Sequence, residues 1–114
     1  MPYQVRVMAP TAGFLNSLPL KFRTKAYRSI GLLREFGPFL REPHAKRVTG
    51  QSGLMELRVG LGSDICRMFY FHHRHGVYVI TSGYQKKAMK LDRREIRRAA
   101  ESMREYLEGD HGED

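Results

Sequence analysis

The chain has 114 residues, 41% hydrophobic and 28% charged, enough for one hydrophobic core without disulfides or metal, and no apolar stretch approaches transmembrane length. Twenty Lys and Arg oppose twelve Asp and Glu, a net charge of +8. Four of those acids (Glu108, Asp110, Glu113, Asp114) fall in the last seven residues, so the rest sets twenty cations against eight acids, +12. A compact domain with that excess attracts polyanions, nucleic acid first. Cys66 is the single cysteine, which excludes an intrachain disulfide. With no leader-like apolar run in MPYQVRVMAP, a cytoplasmic protein is expected.

Tyr3–Met8 alternates Tyr3, Val5 and Val7 with Gln4 and Arg6 and is predicted as a short strand. A short helical turn is expected around Thr11–Leu18. Ser17 before Leu18-Pro19 then marks the start of a longer helix. Phe22, Ala26, Ile30 and Leu33 form its apolar stripe, basic residues fill much of the remainder, and Gly37-Pro38 ends it. Residues 38–53 form a polar connection with a short strand near Lys46–Val48.

Three strand-like runs follow: LMELRV (54–59), ICRMFYF (65–71) and VYVITSGY (77–84). Their connections, GLGSD and HHRHG, are short and glycine-containing, so an antiparallel meander is expected. Asp92 with Glu95 resembles a capping box at the start of a last helix. Its core face is predicted as Ile96, Ala99, Ala100, Met103 and Leu107, and Arg93, Arg94, Arg97, Arg98 and Arg104 mostly occupy the others.

No internal repeat or low-complexity linker interrupts the chain. One domain over residues 1–107 is expected, with 108–114 an acidic, flexible tail. The order of elements predicts an α+β domain, helices packed on one face of an antiparallel sheet of about four strands and the other face open.

Strand parity directs charge to that open face. Met55, Leu57 and Val59 make a clean core side, which turns Glu56 and Arg58 the other way. Arg67 is the only charged residue between Ile65 and Phe71, and a guanidinium there is costly to bury without a partner. Two roles remain open and compatible: an ion pair with Glu56, or a phosphate-binding fork held rigid by the sheet. The third run delivers Tyr84, Lys86 and Lys87 at its end, with Lys90 farther along the loop. The histidines of HHRHG fit no zinc spacing, so no metal or other cofactor is expected, and a hairpin tip belongs in solvent.

GLMELRV (53–59), CRMFYF (66–71), SGYQKK (82–87) and REIRRA (94–99), with LLREFGP (32–38) and HAKRVTG (44–50), resemble the RelE/ParE superfamily of bacterial toxins, specifically its HigB-like, phage-type branch. The likeness spans nearly the whole chain. It implies a RelE-like fold and a metal-independent endoribonuclease that cuts mRNA, commonly in the ribosomal A site, through attack of the RNA's own 2′-OH. It also implies a cognate antitoxin, often a helix-turn-helix protein of HigA type, and no membrane partner.

On this likeness Arg58, Arg67, Lys86, Lys87 and Tyr84 would carry the chemistry. Lys46, Arg47, Lys90, Arg93, Arg94 and Arg97 would hold RNA. The sequence departs from the branch at Ser82, where histidine is usual, at Ala88 (usually threonine) and at Asp92 (usually proline). Two alternatives stand beside it: a ParE-like inhibitor of DNA gyrase, which shares the fold but needs no such basic cluster, and a basic RNA-binding module without catalysis.

Overall fold

In the computed structural model, residues 2–85 and 92–109 are described. Strand β1 (Gln4–Val7) leads into helices α1 (Ala9–Ser17) and α2 (Leu20–Phe36). A 3-10 turn (Gly37–Phe39) and four strands follow: β2 (Ala45–Arg47), β3 (Met55–Leu61), β4 (Asp64–Arg74) and β5 (Val77–Gln85). Helix α3 (Arg93–Glu108) comes last.

β2 to β5 form the expected antiparallel meander. β1 joins it as a fifth strand, parallel to β5 in the register Gln4↔Val77 to Val7↔Ile80, giving a mixed sheet of order β1-β5-β4-β3-β2. Parallel neighbours need a long crossover, and α1, α2 and strands β2 to β4 lie between these two strands in the chain.

α1 is a full helix rather than a turn, and Ser17 ends it instead of starting α2. Its hydroxyl donates back to the Phe14 carbonyl at 2.6 Å. Pro19 is the N-cap of α2. At the far end Gly37 has φ 51°, and a Cβ there would lie 2.5 Å from the Tyr3 ring, so only glycine closes this turn.

The helices do not share one face of the sheet. α1 and α2 bury Leu15, Phe22, Ala26, Ile30 and Leu33 against Leu57, Val59, Cys66, Met68, Tyr70 and Ile80, the side that parity assigned to the core. α3 crosses to the opposite face, where Ala99 packs with Val48, Leu54 and Phe69, and Tyr106 with Phe71 and Val79. That face is therefore half covered. The cause is Leu54, Phe69, Phe71 and Val79 themselves, an apolar patch that water would otherwise cover. Tyr106, rather than the exposed Leu107, completes the inward stripe Ile96-Ala99-Met103-Tyr106, of which Ala99 and Tyr106 are buried, and its hydroxyl accepts from Arg6 on β1.

Candidate functional site

The strand register sets a polar row beside the apolar patch. Arg58 pairs across β3–β4 with Arg67, and Arg67 across β4–β5 with Tyr84. The next row is Lys46, Glu56, Phe69 and Ser82. Cross-strand partners share a face, so both rows lie on the α3 side.

Tyr84 reaches that face because β5 is irregular. Phe69 pairs with Ser82 but Tyr70 with Ile80, leaving Thr81 as the extra residue. Without this bulge, alternation from Val79 would turn Tyr84 to the other side. Thr81 is held in place by donating its hydroxyl to the Phe69 carbonyl at 3.3 Å. Gly83, the following core-side position, lies under Phe14, where a Cβ would meet the ring at 2.6 Å.

Two guanidiniums opposite one another repel. Glu56 offsets this: its Oε1 lies 2.8 Å from Arg67 Nη1 and 3.4 Å from Arg58 Nε. The Glu56 and Arg67 side chains are each 1% exposed, whereas that of Arg58 is 28% exposed. Of the two roles foreseen for Arg67, the ion pair with Glu56 is present, so that Arg67 is sealed while Arg58 meets solvent.

Tyr84 stacks on Phe69 with centroids 5.9 Å apart at 14°. Its hydroxyl accepts the Asp92 backbone N–H at 3.1 Å. Burial raises its pKa, while that N–H and Arg67 pull it back. Half of the expected capping box forms, since Asp92 Oδ1 accepts from the Arg94 N–H at 2.9 Å. The other half does not. Glu95 lies 3.4 Å from Arg98, and Tyr84 takes the Asp92 N–H instead. Proline, usual at this position in the resembling branch, has no N–H to offer.

Of the residues expected to hold RNA, Lys46 is exposed on the site face beside Glu56, while Arg47 belongs to the opposite face with Met55. Arg93, Arg94 and Arg97 are exposed on α3, with Arg94 also 3.6 Å from Asp92. Lys86, Lys87, Ala88 and Lys90 lie outside the described residues. Ser82 is buried, and its hydroxyl has no hydrogen-bond partner among the described residues. The histidines are not a bare hairpin tip, because β4 continues to Arg74. His72 packs on Tyr78 at 5.0 Å and His73 on Tyr106 at 5.1 Å. Among the described residues no group of three His, Cys, Asp or Glu gathers as metal ligands, and no helix is long and apolar enough to cross a membrane.

A cavity of ≈ 390 Å³ opens at the β3 edge, with Arg58 and Arg67 in its wall. Lys25, Arg28 and His44 line it too, and sequence reasoning singled out none of them for a site. The available signal was spacing: Lys25, Arg28 and Leu32 run at i, i+3 and i+7 beside the core stripe of α2.

The family model described as "Phage derived protein Gp49-like (DUF891)" matches residues 13–104. The chain belongs to this Gp49-like family. Among curated proteins none matches it. Solved structures supply the fold. A chain of the archaeal RelE–RelB complex from Pyrococcus horikoshii has 22% identity and TM-score 0.58, covering 79% of this chain and 100% of that one. The free E. coli toxin RelE, with two arginines replaced by alanine, has 17% identity and TM-score 0.60, covering 94% and 100%. A chain of the toxin–antitoxin complex RelBE2 from Mycobacterium tuberculosis has 23% identity and TM-score 0.52, covering 75% and 100%. The Gp49-like chain therefore has a RelE-like α+β fold, as the sequence motifs implied.

Proposed function

We propose that this Gp49-like protein is the toxin of a toxin–antitoxin pair of HigB-like type, an endoribonuclease that cuts mRNA on the translating ribosome. The observation that carries this reading is the Arg58–Arg67–Tyr84 row, a rigid cationic strip on a RelE-like sheet with one guanidinium open to solvent.

Attack of a 2′-OH on the adjacent phosphate builds negative charge on the phosphoryl oxygens, and fixed cations stabilise that charge without reorganising. Arg58 is the cation able to touch it. Arg67, fixed by Glu56, acts through position and field. Glu56 is engaged by both guanidiniums, which argues for an orienting carboxylate and against a general base. Lys86 and Lys87, next along the chain from β5, remain the lysines proposed to stabilise the phosphorane or protonate the 5′-oxygen. Tyr84 holds the start of α3 and offers an aromatic edge beside the row.

Lys46, Lys90, Arg93, Arg94 and Arg97 would grip RNA phosphates, with affinity falling as salt rises. Arg47, on the other face, would reach only a strand that wraps the β2 edge. The proposed partner is a cognate antitoxin, which the RelE–RelB and RelBE2 complexes among the similar structures support, and which would cover the cationic face or wrap the helices.

Primer extension on cellular mRNA after brief induction tests the reading. Wild type is expected to give new 5′ ends that track codons on translated messages, and Arg67→Ala to give none. Intact mRNA with DNA damage would point to gyrase inhibition, and RNA binding without cleavage to a non-catalytic module. Either result overturns the proposal.

A further inference from the structure

The polar row does not account for the whole cavity at the β3 edge. β2 pairs with β3 only as far as Ala45↔Leu57, so Arg58, Val59 and Gly60 lie beyond the last strand partner on that side. The His44 carbonyl accepts the Arg58 N–H at 2.9 Å, which fixes the loop before β2 as one wall. α2 builds the other wall from Lys25, Arg28, Ser29 and Leu32, a helical stripe beside its core stripe. Leu32 and Val59 from the α2 side and Ile65 from the other side give the space apolar lining around Gly60 at the strand edge.

The charge is one-sided. Lys25, Arg28 and Arg58 line it with His44, Arg67 lies sealed behind them, and no Asp or Glu lines the space. Glu56 approaches Arg58 and Arg67 but does not reach this wall, and neither Lys25 nor Arg28 has an ion pair among the described residues. A cationic rim beside an apolar lining suits a ligand with one charged end and one flat, weakly polar body. A nucleotide has that form, and ≈ 390 Å³ is a fitting size for one.

We propose that this cavity is a nucleotide subsite. Lys25 and Arg28 hold the phosphate next to the scissile one, and the base lies against Leu32, Val59 and Ile65. Arg58 joins the two sites, because its guanidinium borders both the cavity and the polar row. That the nucleotide belongs to an RNA strand about to be cut rests on the nuclease reading above.

The test titrates the purified protein with adenosine 5′-monophosphate and, separately, inorganic phosphate at low salt, following amide shifts by NMR. The variants are Lys25→Ala/Arg28→Ala and the control Lys21→Ala/Arg34→Ala, which removes equal charge from the same helix. The nucleotide is expected to bind about tenfold more tightly than phosphate, because only it uses the apolar lining. The cavity variant should lose about tenfold in affinity and the control less than twofold. Ile65→Thr should weaken the nucleotide but not phosphate. Equal binding of the two anions, or equal losses in the two double variants, would mean diffuse surface charge and overturn the subsite.

Cleavage of mRNA by the wild type is scored apart. Binding that depends on Lys25 and Arg28 without cleavage removes the nuclease reading and leaves the subsite standing. Cleavage with binding indifferent to those residues does the reverse.

Discussion

The two faces of the sheet are built differently. Under α1 and α2 the inward residues of β3, β4 and β5 are apolar or weakly polar, from Leu57 and Val59 through Met68 and Tyr70 to Ile80. Under α3 the same strands present apolar residues at one end and the Glu56, Arg58, Arg67 and Tyr84 group at the other. One face is mainly packing. The other anchors α3 at one end and leaves the other end as a held set of charges. A cationic strip is only as rigid as what fixes it, and here the fixing parts are a buried carboxylate, a bulge and the first turn of α3.

The largest effect expected on that comparison comes from Glu56→Gln. It leaves Arg67 buried without its carboxylate, and loss of one partner of a buried pair costs about 3 kcal/mol. Urea unfolding should show that loss, whereas Arg58→Ala should change stability by less than about 1 kcal/mol because Arg58 is partly solvated. Equal effects would mean that the sealed and open guanidiniums are not distinct.

Gly83→Ala should cost about 1–3 kcal/mol, since its Cβ meets Phe14 at 2.6 Å and α1 or the bulge must shift. Phe14→Leu in the same chain should recover part of it in a thermal melt.

Asp92→Pro removes both the donor to Tyr84 and the cap on Arg94, each worth about 1 kcal/mol. Tyr84→Phe should lose only the first of these. If Asp92→Pro left amide protection in the first turn of α3 unchanged, the tie between β5 and α3 would be wrong.

The packing face supplies the smallest effect near neutral pH. Burial pushes the Cys66 thiol, normally near 9.0, up to about 12, and the Tyr70 phenol, normally near 10.0, to about 12. The folded chain keeps protons that the unfolded chain releases. Stability is therefore fully present below pH 9 and falls as pH rises from 9 towards 12, at most by about 1.4 kcal/mol per unit for each group. Denaturant midpoints should be flat in this respect between pH 7 and 8.5 and drop above it.

The sequence revealed much of this because parity is local. Met55, Leu57 and Val59 against Glu56 and Arg58 could be assigned from six residues, and the Arg67–Glu56 pair followed from one buried charge needing another. What stayed hidden depends on distant parts of the chain. The β1–β5 pairing joins Gln4 to Val77 with no local mark on either strand. The bulge at Thr81 turns Tyr84 over, yet VYVITSGY alternates smoothly as text. The stripe of α3 says that it packs, but not on which face, and the structure places it opposite α1 and α2. Lys25 and Arg28 stand among many basic residues of α2, and only the packing of α2 beside the β3 edge brings them to one cavity.

Whether the solvent-facing guanidinium of Arg58 beside the sealed Arg67 meets a scissile phosphate is settled by single-turnover cleavage of mRNA on purified translating ribosomes, comparing wild type with Arg58→Ala. The expected products carry 2′,3′-cyclic phosphate and 5′-hydroxyl ends, with a rate reduced about hundredfold or more in the folded variant. Cleavage by Arg58→Ala at the wild-type rate would contradict that contact.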